Sequence, residues 1–520
     1  MWIKFCSFRR FIPITLTAVL FGIPSCTLNL DGPAPYMEHT QVVTSADGTR
    51  LVAHYFPALG LAAGATAPTV MIGSGWSFPA YPEWLDRLDT GGSFQVGLLT
   101  PAELRRNGYN VVTWDNRGFG TSDGPVDLLN VTTSGADIRA IIDWIATEPS
   151  ATLQAPSDPI VGVTGASYGA GLSIVAGIAD PRVDAIVPNM GWNSLTDSLY
   201  PNQVVNAGWG NILCGLGDGL SYLFGQMGGP LGTRVDDRLG PRLRKVCNVL
   251  NTGVATPDDV DFLSTSSPAQ QVGSITTPTL ILAGTADTLF PLNGDITNYR
   301  LLAKNGSPLK MMWYCGGHGI CNTPTRDMDH MRDAQFAWFD TYLKGAEVDA
   351  GPGFEWADQF GKWHSETNYP EPSGNVVRKT GSGRLNLLPF SFSGFFIVPT
   401  PAWNAITLPI PSPASPTTVL HAPMLTLKYR GTGSPSNAAV FAQLVDDRNN
   451  TVAGSQITPI RLQLDGAAHE VTMKLNTIAW AWSAQSPLSV QITDSSTLFF
   501  RENAVGSVDF SAITIEVPTA

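Results

Sequence analysis

The sequence predicts an α/β domain built on a parallel sheet, followed by a second domain that consists of strands only. Between about residues 40 and 345, short β-branched runs alternate with one-faced helical patterns, the order of a parallel sheet with crossover helices. After about residue 350 the helical period disappears. A helical segment at about 192–270 interrupts the first pattern. We therefore predict an α/β domain at 38–348, which contains this insertion, and an all-β domain at 349–520.

The α/β pattern opens with a hairpin. Two runs in which apolar and polar residues alternate flank Asp47 and Gly48, a dipeptide typical of a two-residue β-turn. The segments "PTVMIGSG" (68–75) and "NVVTWDNRG" (110–118) are continuous apolar runs, as in strands that are buried on both faces. The next segment, 137–149, repeats isoleucine at helical spacing and predicts an amphipathic helix that stops before Pro149.

The second half of this domain continues the alternation. The run "PIVGVTG" (159–165) predicts a strand, and "GAGLSIVAGIAD" (169–180) predicts the helix that follows it. Three more strand-like runs follow, at 183–191, 277–287 and 309–317. This order favours a parallel sheet in which a helix connects successive strands.

The insertion at 192–270 has its own composition. It is rich in Gly, Leu and Asn, and its aromatic residues include Trp192 and Trp209. It follows the carboxyl end of a predicted strand, which is the edge where ligands bind in open α/β sheets. We therefore expect a helical cap or lid over the site.

The C-terminal part begins with the Pro- and Ser-rich segment 398–418. Short strand-like runs with turn residues between them follow, at 424–430, 438–447, 457–465, 469–475, 488–494 and 512–517. This pattern predicts an antiparallel β-sandwich or jelly roll.

The charge balance argues against nucleic acid as a partner. The chain has 31 Lys and Arg against 43 Asp and Glu, a net charge of −12, and no basic cluster.

The sequence lacks the motifs typical of a zinc site, C-x-x-C and H-E-x-x-H. We expect neither a metal nor an organic cofactor.

The N-terminus predicts export. Residues 1–26 combine Lys4, Arg9 and Arg10 with a short apolar run that ends at Cys26, the layout of a secretory signal peptide. The end of this segment also resembles a lipoprotein cleavage box with Cys26 as the acylated residue, although Pro24 is unusual there. Cleavage without lipidation and cleavage with lipidation of Cys26 both stay open. If the protein is attached to a membrane, we expect the attachment to be this lipid anchor only.

The remaining cysteines favour disulfides. Cys214, Cys247, Cys315 and Cys321 form an even set in a chain that we expect to be exported. The simplest pairing joins Cys214 to Cys247 and Cys315 to Cys321.

The motif "GASYG" (165–169) predicts a catalytic serine, Ser167. It lies directly between a predicted buried strand and a predicted helix, where a nucleophile elbow lifts the serine hydroxyl to the top of the sheet. The glycines on both sides permit the strained turn, and the backbone N–H of Tyr168 is then one donor of an oxyanion hole.

A serine hydroxyl needs a base, and the base needs an acid that orients it. His318 is in a glycine-flanked loop after a core strand, the place of the general base in an α/β-hydrolase fold. Asp287 ends another strand and is the first candidate for the acid, with Asp295 in the next helix as the weaker one. Four other histidines follow Ser167 and are expected to be structural: His330, His364, His421 and His469.

Several motifs in one order resemble the Xaa-Pro dipeptidyl-peptidase and cocaine-esterase-type family of α/β-hydrolases. The resemblance covers about residues 40–510, and the motifs are "ADGTRLVAHYFPA", "WDNRGFGTSDGP", "IIDWIATEP", "PIVGVTGASYGAG", "TTPTLILAGTADTLFPL" and "FEWADQFGKWHSETNYP". It implies an α/β-hydrolase fold with a cap and a C-terminal jelly roll. It also implies that Ser167, Asp287 and His318 are nucleophile, acid and base.

The sequence departs from this family at the second oxyanion donor. Esterases of the family use a Tyr hydroxyl just after the strand that corresponds to 68–73, and Trp76 stands about there in this chain. We expect Trp76, through its backbone or indole N–H, or Gly75, through its backbone, to replace that hydroxyl. Tyr81 is a further candidate.

These observations predict an exported serine hydrolase that cleaves esters with an apolar acyl group. The first alternative is an Xaa-Pro dipeptidyl-peptidase that acts on short peptides. It needs a carboxylate for the substrate amine, for which the cap offers Asp197, Asp218, Asp236 and Asp237. The second alternative, of another class, is a non-catalytic surface protein that binds sugars or a partner through its β domain. The sequence does not indicate an oligomeric state.

Overall fold

The computed structural model describes residues 39–80, 97–227, 238–269, 271–321, 323, 328–389, 394–499 and 504–519. The predicted signal segment with Cys26 lies outside these residues, as do Tyr81, Asp236 and Asp237.

The strands of the N-terminal part are β1 (His39–Thr44), β2 (Arg50–Phe56), β3 (Thr69–Gly73), β4 (Asn110–Trp114), β5 (Leu153–Ala155), β6 (Asp158–Pro159), β7 (Val161–Ala166), β8 (Val183–Asn189), β9 (Thr279–Gly284), β10 (Leu309–Tyr314), β11 (Phe354–Ala357) and β12 (Trp363–Glu366). Ten of them form one mixed sheet, in the order β1-β2-β4-β3-β7-β8-β9-β10-β11-β12. The pairs from β4 through β3, β7, β8, β9 and β10 to β11 are parallel, and the pairs β1 with β2, β2 with β4 and β11 with β12 are antiparallel. A separate hairpin, β5 with β6, lies outside the sheet.

Helices cover both faces of this sheet, which explains the continuous apolar runs. Every residue of the central strands β3, β4, β7 and β9 is buried. Within the described residues the helices are α1 (Pro101–Arg106), α2 (Val131–Ile145), α3 (Tyr168–Ala179), α4 (Leu195–Leu199), α5 (Ala207–Met227), α6 (Pro241–Thr252), α7 (Pro257–Thr265), α8 (Leu292–Leu302) and α9 (Met328–Lys344). None of them is both long enough and apolar enough to span a membrane.

The segment between β8 and β9 is helical, in agreement with the sequence pattern. It contains α4, α5, α6 and α7, and it follows the carboxyl end of β8. A disulfide joins Cys214 on α5 to Cys247 on α6. These helices therefore stand over the carboxyl edge of the sheet, where the cap was expected.

The central sheet continues beyond residue 348, where the sequence placed the end of the α/β domain. After α9 the chain returns as β11, which pairs in parallel with β10, and β12 then pairs antiparallel with β11. The strands of the C-terminal sheets begin only at Val376.

The C-terminal part is an antiparallel β-sandwich, in agreement with the predicted fold class. Its strands are β13 (Val376–Leu387), β14 (Ala405–Pro409), β15 (Thr417–Val419), β16 (Met424–Asp446), β17 (Thr451–Lys474), β18 (Trp480–Trp482), β19 (Leu488–Thr493) and β20 (Val505–Pro518). Its main sheet has the order β13-β20-β16-β19-β14, with β17 also paired to β16, and β15 pairs with β18.

Two strands of the sandwich are longer than the sequence indicates. The predicted strand at 424–430 and all but the last residue of that at 438–447 lie in β16. The predicted strand at 457–465 and all but the last residue of that at 469–475 lie in β17. The glycine-rich stretch between the first two runs does not form a turn: β20 pairs with it as far as Ser434, while the pairing with β17 resumes at Asn437 after shifts of register. Bulges of this kind accommodate extra residues within a strand, here residues that the sequence pattern assigned to a turn.

Candidate active site

Ser167 lies at the turn between β7 and α3, as the motif predicts. Its backbone has φ 58° and ψ −117°, a conformation that costs an ordinary L-residue of order 1–3 kcal/mol and that clusters at functional sites. The N–H of Ser167 donates to the carbonyl of Asn189 at the end of β8, at 2.9 Å. The serine is thus held on a strained turn at the carboxyl edge of the sheet.

The glycines of the motif are required by a close approach to β3. A Cβ atom at Gly165 would lie 2.7 Å from the carbonyl oxygen of Gly73, and a Cβ atom at Gly169 would overlap the same oxygen. The start of α3 therefore crosses β3 at a distance that excludes side chains at both positions.

His318 is in the loop after β10, and its Nε2 lies 2.8 Å from the Oγ of Ser167. A disulfide between Cys315 and Cys321 closes this loop, which is the second cysteine pair that the sequence favours. The rings of Trp209 and Phe290 stand edge-on to the imidazole, with centroids at 5.5 and 5.1 Å. The loop and the two rings fix the imidazole beside the serine.

Asp287 follows β9 and is completely buried. Its Oδ2 lies 2.6 Å from Nδ1 of His318. Its Oδ1 accepts the backbone N–H groups of Leu289 and Phe290 at 2.9 and 2.7 Å. The structure therefore brings Ser167, His318 and Asp287 into one hydrogen-bonded chain, in the geometry that general base catalysis requires.

Asp295 does not join this chain. It is buried in the first turn of α8, and among the described contacts it has none with His318. Burial, and then the negative charge of Asp287, raise the pKa of Asp295 well above its usual range. The environment thus favours the uncharged form of Asp295, whereas the carboxylate that contacts Nδ1 of His318 is that of Asp287.

Replacing Asp295 with asparagine is expected to raise the melting temperature by roughly 2–4 °C and to leave turnover near the wild-type value. Below the carboxyl pKa of the unfolded chain, both states are protonated, and stability is unaffected. As the pH rises above it, the unfolded chain loses its proton first, because the folded-state pKa is raised, and the fold is destabilised. Melting curves of Asp295→Asn and wild type between about pH 4.5 and 7.5 check this: the difference should grow with pH.

The other four histidines each contact a structural partner. His330 lies 2.8 Å from Glu355, His364 lies 2.8 Å from Asp358, and His469 lies 2.8 Å from Asp465. His421 lies 3.0 Å from the hydroxyl of Tyr369. None of these described contacts involves Ser167, which agrees with the structural roles expected for them.

Two of the oxyanion candidates, Tyr168 and Trp76, line the same cavity as Ser167, and Gly75 directly precedes Trp76 in the loop after β3. The N–H of Tyr168 is at the first position of α3, where a backbone N–H has no partner within the helix. Trp76 packs on the Tyr168 ring with centroids at 5.4 Å. Its indole N–H donates to the carbonyl of Leu213 on α5, at 2.8 Å. The indole form of the Trp76 hypothesis is therefore wrong, because that donor is committed to the cap, and the backbone N–H groups of Gly75 and Trp76 remain the candidates.

Phenylalanine at position 76 is accordingly expected to reduce kcat less than about tenfold, whereas loss of an oxyanion donor reduces it by about 10²–10³. The ring would keep its place against Tyr168, and only the bond to Leu213 would be lost. Steady-state kinetics of Trp76→Phe check this. A decrease of a hundredfold or more in kcat, with the melting temperature unchanged, would restore the indole as a donor.

A cavity of about 90 Å³ extends from Ser167 into the cap. Its walls come from the loops after β3, β4, β7, β8 and β9 and from α4, α5, α6 and α7, and they are mostly apolar. The lining residues are Trp76, Leu128, Leu129, Ser167, Tyr168, Trp192, Leu195, Leu199, Tyr200, Val205, Asn206, Gly210, Leu213, Cys214, Leu243, Val246, Val249, Leu250, Ala255, Asp259, Leu263, Leu289 and Phe290.

Asp259 is the one charged side chain that lines this cavity among the described residues, and it was not among the residues predicted from the sequence. Its Oδ2 accepts from the backbone and hydroxyl of Thr256 in a helix cap, at 2.8 and 2.6 Å. Its Oδ1 has no hydrogen-bond partner within the described part of the chain. Asp197 and Asp218, the acids that the sequence offered for a substrate amine, are exposed and lie outside the cavity lining.

The described residues contain no cluster of three or more His, Cys, Asp or Glu side chains that could hold a metal ion. The expectation that the chain needs no metal stays a prediction.

This fold, with a serine, a histidine and an aspartate at the carboxyl edge of its sheet, is that of a serine hydrolase. The chain belongs to the X-Pro dipeptidyl-peptidase family (S15 family), because the model of that family matches residues 47–319, more than half of the chain. No protein with a curated description matches the chain significantly. Family membership favours the hydrolase over the non-catalytic surface protein.

Three solved structures share the whole architecture at low sequence identity. A CocE/NonD family hydrolase from Staphylococcus aureus is 14% identical, with a TM-score of 0.66 over 92% of this chain and 93% of that one. An aminopeptidase from a marine sediment archaeon, Thaumarchaeota archaeon, is 13% identical, with a TM-score of 0.68 over 94% and 98%. An α-amino acid ester hydrolase is 13% identical, with a TM-score of 0.64 over 95% and 99%. At this identity the likeness shows the fold alone.

Proposed function

We propose that the protein is an exported carboxylester hydrolase that acts on esters with an apolar acyl group. The observation that carries this proposal is that Ser167, hydrogen-bonded to His318, lines a cavity with predominantly hydrophobic walls. An apolar acyl chain in this cavity would leave water, and burial of each methylene is favourable by about 0.8 kcal/mol.

Acylation starts with the Oγ of Ser167, which attacks the ester carbonyl while Nε2 of His318 accepts its proton. Asp287 stabilises the resulting imidazolium through its 2.6 Å contact with Nδ1. The negative charge on the tetrahedral intermediate is held by the N–H of Tyr168 and by a backbone N–H of Gly75 or Trp76. The intermediate collapses when His318 donates the proton to the leaving alcohol, and the acyl group stays on Ser167.

Deacylation repeats these steps with water. His318 removes a proton from a water molecule that attacks the acyl-enzyme carbonyl, and the same donors hold the second tetrahedral intermediate. His318 then returns the proton to Ser167, and the carboxylic acid leaves. Each residue returns to its starting protonation state, so no cofactor is needed.

The cavity favours an ester over a peptide substrate. A dipeptide with a free amine brings a positive charge into the site, and a buried charge is stable only when it is paired. Only Asp259, among the described residues that line the cavity, carries a negative charge, and one of its oxygens caps α7.

Asp259 is also the observation that favours the second candidate, an Xaa-Pro dipeptidyl-peptidase. Its Oδ1 is buried and without a partner in the described residues, and a substrate ammonium would satisfy it. In this alternative Asp259 holds the amine, and Ser167 attacks the peptide carbonyl.

A panel of p-nitrophenyl esters of increasing acyl length, assayed beside Gly-Pro p-nitroanilide, separates the two functions. We expect kcat/KM to rise with acyl length and then to fall, with little cleavage of the anilide. Asp259→Asn is expected to leave ester hydrolysis nearly unchanged. Preferred cleavage of Gly-Pro anilide that is lost in Asp259→Asn would overturn the ester proposal in favour of the peptidase.

Export stays part of the proposal. The two disulfides support it, because such bonds form and persist in oxidising compartments outside the cytosol. Mass spectrometry of the mature protein tests it: cleavage near residue 26 supports export, a lipid on Cys26 supports membrane anchoring, and an intact N-terminus in the native host contradicts both.

A further inference from the structure

The β-sandwich contacts the loop that carries Asp287. Gln456, near the start of β17, is 4% exposed, and its Nε2 donates to the backbone carbonyl of Asp287 at 2.8 Å. The two residues are separated by 169 positions in the chain. A side chain of the sandwich thus bonds directly to the residue that orients His318.

The carboxamide of Gln456 has a fixed orientation. Its Nε2 also donates to the carbonyl of Gly454 at 2.9 Å, and its Oε1 accepts from Nδ2 of Asn476 at 3.2 Å. A carbonyl oxygen can only accept, so the amide nitrogen must face Gly454 and Asp287. The three bonds together aim one N–H of Gln456 at Asp287.

The backbones of the two parts also meet at this point. Gly454 has φ 58°, and a Cβ atom there would lie 2.9 Å from the carbonyl oxygen of Thr285. Close by, the backbone N–H of Thr477 donates to Oδ1 of Asn293, at 2.8 Å. The sandwich is therefore seated on the segment that includes Asp287, without space for movement toward it.

Asp287 is consequently held from two sides. Its carboxylate is fixed inside its own loop by the N–H groups of Leu289 and Phe290, and its backbone carbonyl is fixed from outside by Gln456. Without Gln456 the buried carbonyl would lose its described partner, and the loop would shift to satisfy it. Such a shift would move the carboxylate away from His318.

The sandwich contacts the His318 loop as well. The N–H of Ile320 donates to the carbonyl of Ile397 at 2.9 Å. Phe396 packs edge-on against Trp209, with centroids at 5.2 Å, and Trp209 packs against His318. Both loops that build the site therefore touch the C-terminal part.

We propose that Gln456 is a positioning residue for Asp287. Through this side chain the β-sandwich holds the Asp287 loop in the position that catalysis requires. This inference rests on the proposed roles of Ser167, His318 and Asp287. It predicts a specific signature: loss of Gln456 lowers kcat and leaves KM nearly unchanged, because the displaced group acts in the transition state and does not line the cavity.

The test compares Gln456→Met with Gln359→Met in the full chain. Methionine is similar in size and removes the amide. Gln359 is the matched control, because it makes the same kind of bond between the two parts, with both the N–H and the carbonyl of Ala481 at 2.8 Å, but away from the site. We expect kcat of Gln456→Met on the best ester to fall about tenfold, with KM within about twofold, and Gln359→Met to match the wild type. The downfield proton resonance of the His318–Asp287 hydrogen bond should weaken only in Gln456→Met.

The outcomes separate this inference from the proposed function. Wild-type turnover in Ser167→Ala would overturn the proposed function itself. An inactive Ser167→Ala together with a wild-type kcat in Gln456→Met would overturn only the role of Gln456, as would equal losses in Gln456→Met and Gln359→Met. If Gln456→Met fails to fold, Gln456→Asn carries the test, because it keeps the amide but is one methylene too short to reach Asp287. A folded Gln456→Asn with wild-type kcat overturns the inference.

Discussion

Alanine in place of Ser167 is expected to lower kcat about 10⁶-fold, because the proposed nucleophile is lost while the rest of the site still binds substrate. We expect the fold to survive. Alanine and serine both carry a Cβ atom, so the strain at a φ of 58° is the same in the variant. The measurements are kcat on the best ester of the panel, labelling by a fluorophosphonate, and the melting temperature.

Ser173→Ala is the matched control for this variant. Ser173 is buried on α3, the helix that follows Ser167, and donates from its Oγ to the carbonyl of Gly169 at 3.0 Å, but it does not line the cavity. Its loss should leave labelling by the fluorophosphonate intact. Labelling of Ser167→Ala at the wild-type rate would show that another residue is the nucleophile.

Asparagine in place of Asp287 is expected to lower kcat about 10⁴-fold by imposing the wrong tautomer on His318. Oδ1 of Asp287 accepts two backbone N–H groups, from Leu289 and Phe290, so the single oxygen of asparagine must take that position. The NH₂ group then faces Nδ1 of His318 and can only donate. The imidazole must accept at Nδ1 and carry its proton on Nε2, the atom beside Oγ of Ser167. In this tautomer it cannot take the proton of the serine.

Asp295→Asn is the matched control for Asp287→Asn. It makes the same chemical change at a nearby buried aspartate, in the first turn of α8. Kinetics over a range of ester concentrations should show a lower kcat with little change in KM in Asp287→Asn, and near wild-type values in Asp295→Asn. If the two variants exchanged these behaviours, Asp295 would be the acid.

The features that were predictable from the sequence are those encoded within a short stretch of chain. The elbow at Ser167 needs a strand, two small residues and a helix in succession, and all of them lie within 159–180. The position of His318 could be inferred in the same way, because a glycine-flanked loop after a core strand is a local pattern. The fold class followed from periodicity, which changes near residue 350.

The features that escaped prediction depend on contacts between distant segments. The indole of Trp76 bonds to Leu213, a residue 137 positions away on a cap helix whose placement no local pattern encodes. Gln456 is one of many polar residues in the sandwich, and nothing in its neighbours marks the bond to Asp287. In the sequence, Asp259 fits the acidic position of an ordinary helix capping box. That it also lines the cavity is evident only from the structure.

The bond between Cys214 and Cys247 has a practical consequence for anyone who produces the enzyme. Cys214 lines the cavity, and its partner is on the neighbouring wall helix α6. Protein made in the reducing cytosol of a bacterial host would carry both cysteines as thiols, and two walls of the cavity, the proposed acyl site, would then be held by packing alone. Preparations with different thiol content would be expected to rank long and short esters differently. A free-thiol titration therefore belongs before any measurement of chain-length preference.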